Sequence, residues 1–259
     1  MNALIRGMDK NPLFIQHQTS ADYRDRPFEM VILPLGSLEG HGGHLPFGTD
    51  ALTAEILAGE VAARIPGAAV LPVVPYGVSD HYRDFSFTVS LSFETETAII
   101  KDILESIYRE GIRKVFIMNG HDGNIAPIEA AARNVKVAHP DIKIFSLCAW
   151  WQELGSLLPP GFFEVWGGFG HGGEAELSIG LALFEELCQP EHAEGHVPDL
   201  PKIGEMIWLF SELTDSGATG DPTRATRKKG LKMKEALVDA IVAALTRLNE
   251  TGWSYGKTS

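Results

Sequence analysis

The chain has 259 residues, 44% hydrophobic and 22% charged, which is the ordinary range for a globular protein with room for one large domain or two small ones. Its 34 acidic residues outnumber 22 basic ones, for a net charge of −12, so neither nucleic-acid phosphate nor an anionic membrane is expected as a partner, since both need a cationic surface. No apolar run reaches 18 residues, the first thirty residues lack the basic-then-apolar order of a secretory leader, and Cys148 and Cys188 have no CxxC spacing; a cytoplasmic protein with reduced thiols is the default expectation.

In chain order, short apolar runs alternate with segments of helical period. Strands are predicted at Met30 to Leu35, Ala69 to Val74, Val115 to Met118 and Ile142 to Leu147, each nearly continuous in hydrophobicity, as in central strands covered on both faces. Helices are predicted at Ala51 to Ile65, Thr95 to Glu110, Ala126 to Ala138, Glu174 to Phe184 and Lys232 to Leu248. Leu237, Ile241, Leu245 and Leu248 form a core-facing stripe on the last of these, and the basic run Arg224 to Lys234 reads as its solvated start. No repeat or low-complexity linker divides the chain. The alternation argues for a single α/β domain over residues 1–259, three layers deep, with a mostly parallel central sheet flanked by helices. In such sheets ligands bind in the loops beyond the strand carboxyl ends, and most glycine-rich stretches of this chain fall there.

The first of those loops reads GSLEGHGGHLPFGTD and supplies Glu39, His41, His44 and Asp50 within a dozen residues. Two imidazoles set between two carboxylates form a metal-ligand pattern more readily than a plain turn. The second loop, NGHDGN, brings His121 and Asp122; alone it also suits an ordinary turn, because Asn, Asp and Gly tolerate positive φ. The third, GFGHGGEAELS, places His171 just before a helix that opens with Glu174 and Glu176. Acids in a first turn favour the helix dipole, but Glu176 sits among Ala175, Leu177 and Ile179, where an uncompensated carboxylate is costly, so a buried hydrogen-bond partner is expected for it. Trp150, Trp151 and Trp166 read as buried packing before they read as cavity walls.

These three motifs, in this order, resemble the creatininase family of metal-dependent amidohydrolases, whose pattern runs GSxEQHGPHLPxxTD, NGHGGN and HAGExETS. The resemblance continues in PYGVSDHYRDFSFTVSLSFET and TGDPTRATRKKG, and covers residues from about 30 to 235. It implies two divalent ions, Zn, Mn or Fe(II), with Glu39, Asp50 and His121 on one, His41 and Asp50 on the other, and Asp50 as the bridge. In creatininase proper the fifth ligand lies two residues after the NGH histidine, where this chain has Gly123. Family members with glycine there carry a glutamate three residues after the later histidine, so the resemblance points to Glu174, with Asp122 as runner-up. It further implies His171 as the catalytic proton shuttle, His44 as an outer residue orienting a ligand carboxylate, and a homo-oligomer, often a hexamer. His81 and Arg83 lie in a loop able to meet substrate, although such residues are usually solvated.

Substrate is less clear from the motifs, since Gly40 and Gly43 replace the family's Gln and Pro, and Phe85 to Thr88 stand where FPGT is common. The implied activity is hydrolysis of the C–N amide bond of a small cyclic or linear amide, formamides included. Two alternatives stay open: another bond, as in ring opening of an oxidised inositol of the 3-dehydro-scyllo-inosose type or processing of a peptide-derived cofactor precursor, and metal binding without catalysis.

Overall fold

Four apolar runs pair side by side in a computed structural model that describes residues 11–201, 203 and 206–254. The first ten residues, part of the opening segment read for a leader, lie outside the described residues. The strands are β1 (Met30–Leu35), β2 (Ala68–Val70), β3 (Lys114–Asn119) and β4 (Lys143–Leu147), in the order β2-β1-β3-β4 and all parallel. The longer helices are α2 (Thr49–Ala62), α3 (Phe93–Arg109), α4 (Ile125–Ala138), α6 (Glu174–Leu183) and α7 (Arg227–Glu250), with shorter α1 (Ser20–Asp25) and α5 (Trp150–Leu157).

Because successive strand residues point to opposite faces, β1 feeds two cores. Val31, Leu33 and Leu35 pack with Ile100 and Leu104 of α3 and with Ile128 and Val135 of α4. Met30 and Ile32 pack on the other face with Leu57 and Val61 of α2, Trp150 of α5, Ile179 of α6 and Leu237 of α7. The result is the three-layer arrangement that the alternation predicts, in a single domain whose sheet is wholly parallel. On α7, Leu237, Ile241 and Leu245 are buried and Leu248 is partly so; the helix begins within the basic run, where the Thr226 side chain accepts a bond from Lys229 N–H at 3.2 Å.

Two expectations change. The second strand stops at Val70 instead of Val74, since Pro72 has no N–H to give to a ladder; beyond it only Leu71 and Val74 still donate to β1, at 2.9 and 3.1 Å. Only β1 and β3 are central, while β4 is an edge strand and only partly buried. Helix α5 was not foreseen: its eight residues follow β4 directly and bury Trp150 and Leu154, too short a segment for periodicity to separate from a loop.

The carboxyl ends of β1 and β3 press directly on the start of α2. A Cβ on Gly36 would stand 2.4 Å from the backbone of Ala51, and one on Gly120 would stand 2.2 Å from the carbonyl oxygen of Asp50. Only glycine allows this approach, and it fixes Asp50 against the two central strands.

Candidate metal centre and cleft

All the chemistry-bearing residues that the structure brings together lie at that end of the sheet. Glu39 and His41 come from the loop after β1, Asp50 from the first turn of α2, His121 from the end of β3, His171 from the loop before α6, and Glu176 from α6 itself. The first loop folds back on itself, with Glu39 N–H donating to Phe47 O at 3.1 Å, and is held to a distant segment by Gly42 N–H donating to Gly217 O at 3.0 Å. Gly42 has φ +66°, and a Cβ there would meet the His44 ring at 2.8 Å. This tight turn sends His41 inward.

Asp50 sits at the centre. One carboxylate oxygen lies 3.1 Å from His41 Nε2, and the other lies 3.1 Å from His121 Nδ1 and accepts from Ser37 Oγ at 2.6 Å. Glu39 Oε1 is 3.4 Å from His121 Nδ1 and 3.7 Å from His171 Nδ1. The potential donor atoms form three overlapping groups, each within 4.8 Å: Glu39–Asp50–His121, His41–Asp50–Glu176 and Glu39–His41–His171.

Charge in this pocket is strongly coupled. Burial opposes ionisation of Asp50, yet His41 and His121 hold it well below the usual carboxylate range. Burial also pushes His41 and His121 down, but the surrounding carboxylates, Asp50 foremost for His41 and Glu39 for His121, carry them up to about 10 and about 9. Without an ion, then, the two imidazoles keep protons that a cation must displace. Burial raises Glu39. Its carboxylate is fully inaccessible and neither oxygen has a hydrogen-bond partner; the hydroxyl of Ser79 is turned to His121 Nε2 at 3.2 Å. The ion pair with His121 at 3.4 Å compensates a buried carboxylate with no hydrogen bond only in part, and a cation is what this donor set fits: mixed carboxylate and imidazole ligands converging from both oxygens of Asp50.

The structure separates the two glutamates of α6. Residues two apart on an α-helix point about 200° from each other, so only one can face the cluster. Glu174 faces α7, where it pairs with Lys229 Nζ at 2.5 Å and accepts from Glu164 N–H at 3.0 Å. Glu176 is the one grouped with His41 and Asp50, and its expected hydrogen-bond partner is Gly172 N–H, at 2.5 Å. The expectation placed Glu174 among the ligands; in this structure its carboxylate faces Lys229, and it is Glu176 that stands with His41 and Asp50. Asp122, the runner-up, is exposed at the cleft and belongs to none of the three groups.

His44, His171 and His81 surround the Asp50 carboxylate at greater remove. His44 Nε2 donates to Gly172 O at 2.7 Å, tying down the residue whose N–H holds Glu176, which is an outer orienting position. His171 Nε2 donates to Gly40 O at 2.7 Å. Its ring stacks on Tyr82 at 4.2 Å and lies 4.1 Å from that of His41. Burial, then the charge of His41, keeps its pKa well below the ordinary value. His81 stands edge-on to Trp208 at 5.6 Å, and burial with the charge of His121 lowers it to about 4. Arg83 is exposed and pairs with Asp80 at 3.4 Å.

Above the cluster opens a cleft of about 230 Å³. Trp151, Trp166, Phe169, Trp208 and Phe210 line it with Tyr82, and Asp50, His121, His171 and Glu176 form its polar side. Trp150 is core packing, as expected, whereas Trp151 and Trp166 are walls. Sequence reasoning missed Tyr82, although it lies within the PYGVSDHYRDF segment, and Trp208 and Phe210, which fall in no motif. Phe210 meets Tyr82 at 4.6 Å and His171 at 5.0 Å.

Comparisons with known proteins agree with this fold and these motifs. A family model described as "Creatininase: Creatinine amidohydrolase" matches residues 16–245. Creatinine amidohydrolase of Pseudomonas putida is 30% identical over 232 residues, covering 83% of this chain and 88% of that protein. The mycofactocin precursor peptide peptidase of Mycobacterium ulcerans (strain Agy99) is 28% identical over 228 residues, 84% of each chain. A solved structure described as "Creatininase Mn" superposes with a TM-score of 0.77 at 29% identity, covering 91% of this chain and 98% of that one. With its motifs, its sheet and nearly its whole length matched, the chain belongs to the creatininase family of hydrolases.

Proposed function

We propose that this chain hydrolyses the C–N amide bond of a small cyclic or linear molecule, at a pair of divalent ions held by Glu39, His41, Asp50, His121 and Glu176. The observation that carries the reading is the buried Glu39 carboxylate, neither oxygen of which is hydrogen-bonded, beside an Asp50 whose two oxygens face different imidazoles. Ions bound there would supply Lewis acidity and lower the pKa of a water towards neutrality; Zn, Mn and Fe(II) all suit the ligand set, and the family neighbour described with Mn favours none over the others.

The chain's own residues supply the rest. Asp50 keeps both halves of the donor set at one spacing, and the glycine contacts beneath it prevent drift. His171 donates through Nε2 to a carbonyl, which can only accept, so its Nδ1 is the free lone pair and faces Glu39. Kept neutral by burial, it takes a proton from the attacking water and returns it to the leaving nitrogen. The aromatic walls exclude water and present flat faces to a planar substrate. Changing His171 to Ala tests this assignment. The variant is expected to retain its ions, measured by elemental analysis, while kcat falls roughly 10²–10⁴-fold; loss of ions would make His171 a ligand, as its place in the Glu39–His41–His171 group also permits.

Among the described residues lining the cleft there is no Lys or Arg, while Asp122 adds negative charge. An anionic substituent on the substrate would be buried without a partner, a cost of about 3–5 kcal/mol. The substrate class that fits is therefore uncharged or cationic. For two amides differing only by a phosphate or carboxylate away from the scissile bond, kcat/KM is expected to be about two to three orders of magnitude lower for the anion; equal values would show that charge is not read here. Assembly into a homo-oligomer fits the unpaired β4 edge, beside which Val137, Ile144, Phe145 and Trp253 line an open apolar groove. No helix among the described residues is long and apolar enough to cross a membrane.

A further inference from the structure

Tyr82 enters the chemistry described so far only as part of the cleft wall. It belongs to the irregular stretch between β2 and α3, where Asp80, Arg83 and Asp84 are exposed, yet Tyr82 itself is only 5% exposed. Both of its backbone groups are held. Tyr82 N–H donates to Ser79 O at 2.8 Å, and Tyr82 O accepts from Phe85 N–H at 2.9 Å and from Thr88 Oγ1 at 3.0 Å. Ser79 in turn sets its hydroxyl against His121 Nε2 at 3.2 Å. One short, well-bonded turn thus runs from behind His121 to the face of His171.

His171 needs such a hold. The residues on either side of it, Gly170 and Gly172, have φ of +113° and +62°, a backbone that glycine adopts freely and that does little to fix the side chain between them. The main chain of His171 is tied to Thr219: His171 N–H donates to Thr219 Oγ1 at 3.0 Å, and His171 O accepts from Thr219 N–H at 2.8 Å. The ring itself is fixed by other rings. His41 lies 4.1 Å away at 31° and Tyr82 4.2 Å away at 26°. Two rings this close on the same face would also touch each other; among the described residues no ring contact joins His41 and Tyr82, so they take opposite faces of the imidazole. Phe210 closes one edge at 5.0 Å and 76°. A half-turn of the imidazole would exchange its nitrogens, taking Nε2 from Gly40 O and Nδ1 from Glu39. The turning ring has to sweep through space that His41 and Tyr82 fill.

We propose that Tyr82 is a positioning residue, one jaw of an aromatic clamp that holds the His171 imidazole in a single orientation, with Nε2–H on Gly40 O and the Nδ1 lone pair toward Glu39. This rests on the reading of His171 as the proton shuttle. A shuttle turned the other way presents its N–H where a base is needed, and misplacing a reacting group by about 1 Å already costs about 10²-fold in rate. His41, the other jaw, is bound to Asp50 and covers only one face. The clamp uses the flat face of Tyr82 and not its hydroxyl.

The test reads the ring nitrogens of His171 by heteronuclear NMR of the intact, zinc-loaded chain with isotope-labelled histidines, the His171 signals being identified by their loss in His171→Ala. Wild type is expected to show one tautomer, with the proton on Nε2. Tyr82→Leu is expected to lose it, its His171 signals doubled or broadened away while those of His41 and His121 stay in place. Tyr82→Phe, which keeps the flat ring, should restore it. If Tyr82→Leu does not fold, Tyr82→Met, closer in volume and equally without a flat face, decides. A single Nε2–H tautomer in wild type and in the folded Leu or Met variant, with only the melting temperature lowered, overturns this inference alone. A wild-type His171 with its proton on Nδ1, or with Nδ1 bound to zinc, overturns the shuttle reading and this inference together.

Discussion

Asp50→Ala is expected to lose ions from both halves of the cluster and to reduce turnover by roughly three to four orders of magnitude. The size follows from the several kcal/mol that ion-centred charge stabilisation contributes to a hydrolytic transition state, at about 1.4 kcal/mol per factor of ten. No other residue belongs to both the Glu39–Asp50–His121 and the His41–Asp50–Glu176 groups, so no other single change should empty both. The fold should survive. Alanine suits a helical first turn, and the partners freed by the change, Ser37 Oγ and two imidazoles, lie at the cleft end of the molecule. Elemental analysis of wild type purified without chelator should find about two equivalents of transition metal, and little in the variant. Less than about half an equivalent in wild type, unaffected by the substitution and by added Zn, Mn or Fe(II), would leave the paired-ion reading without support.

The two glutamates of α6 should fail in opposite ways. Glu176→Gln removes a charge from the group that includes His41 and Asp50. Zinc affinity and kcat/KM are each expected to drop at least ~100-fold, more than the loss of an outer residue costs, with the melting temperature little changed. Glu174→Gln breaks a pair in which the glutamate is fully buried and leaves Lys229 with only the exposed Glu164 as a carboxylate partner. The cost should approach the lower end of the 3–5 kcal/mol typical of broken buried pairs, or roughly 5–10 °C in melting temperature for a domain of this size. Its ion content and kcat should stay near wild type. Differential scanning calorimetry beside metal analysis separates the outcomes. If Glu174→Gln lost the ions and Glu176→Gln kept them, the placement of the two side chains would be reversed.

This crossed pair also marks where the sequence stops being legible. Layering and strand direction could be read because continuous apolar runs and helical stripes are local patterns, and Val31, Leu33 and Leu35 divide from Met30 and Ile32 by the simple alternation of a strand. Glu39, His41, Asp50 and His121 stood out because two short loops carry them. The choice between Glu174 and Glu176 is different in kind. It depends on how α6 is rotated about its axis, which is set by α7 lying against it and by Lys229, 55 residues further on. The sequence did hold one clue, an acid on an otherwise apolar helix face. Glu96 offers the same clue, a fully buried acid whose stripe continues in Ile100 and Leu104. Trp208 and Phe210 gave no warning, since aromatic residues in irregular segments look alike until the fold brings them together, and Tyr82, though inside a family motif, was passed over for His81 and Arg83 beside it.

The glycine contacts at the strand ends have a consequence for how such a protein diversifies. Gly36 and Gly120 lock Asp50 to the two innermost strands, whereas the walls around the cleft come largely from stretches between β4 and α7 that include Trp166, Phe169, Trp208 and Phe210. Reactivity is thus encoded in the part of the molecule that tolerates change least, and recognition in the part that tolerates it most. Exchange of the segments around 162–170 and 196–213 between relatives should carry preference for one compound over another, while the hydrolytic engine beneath passes unaltered from one host to the next.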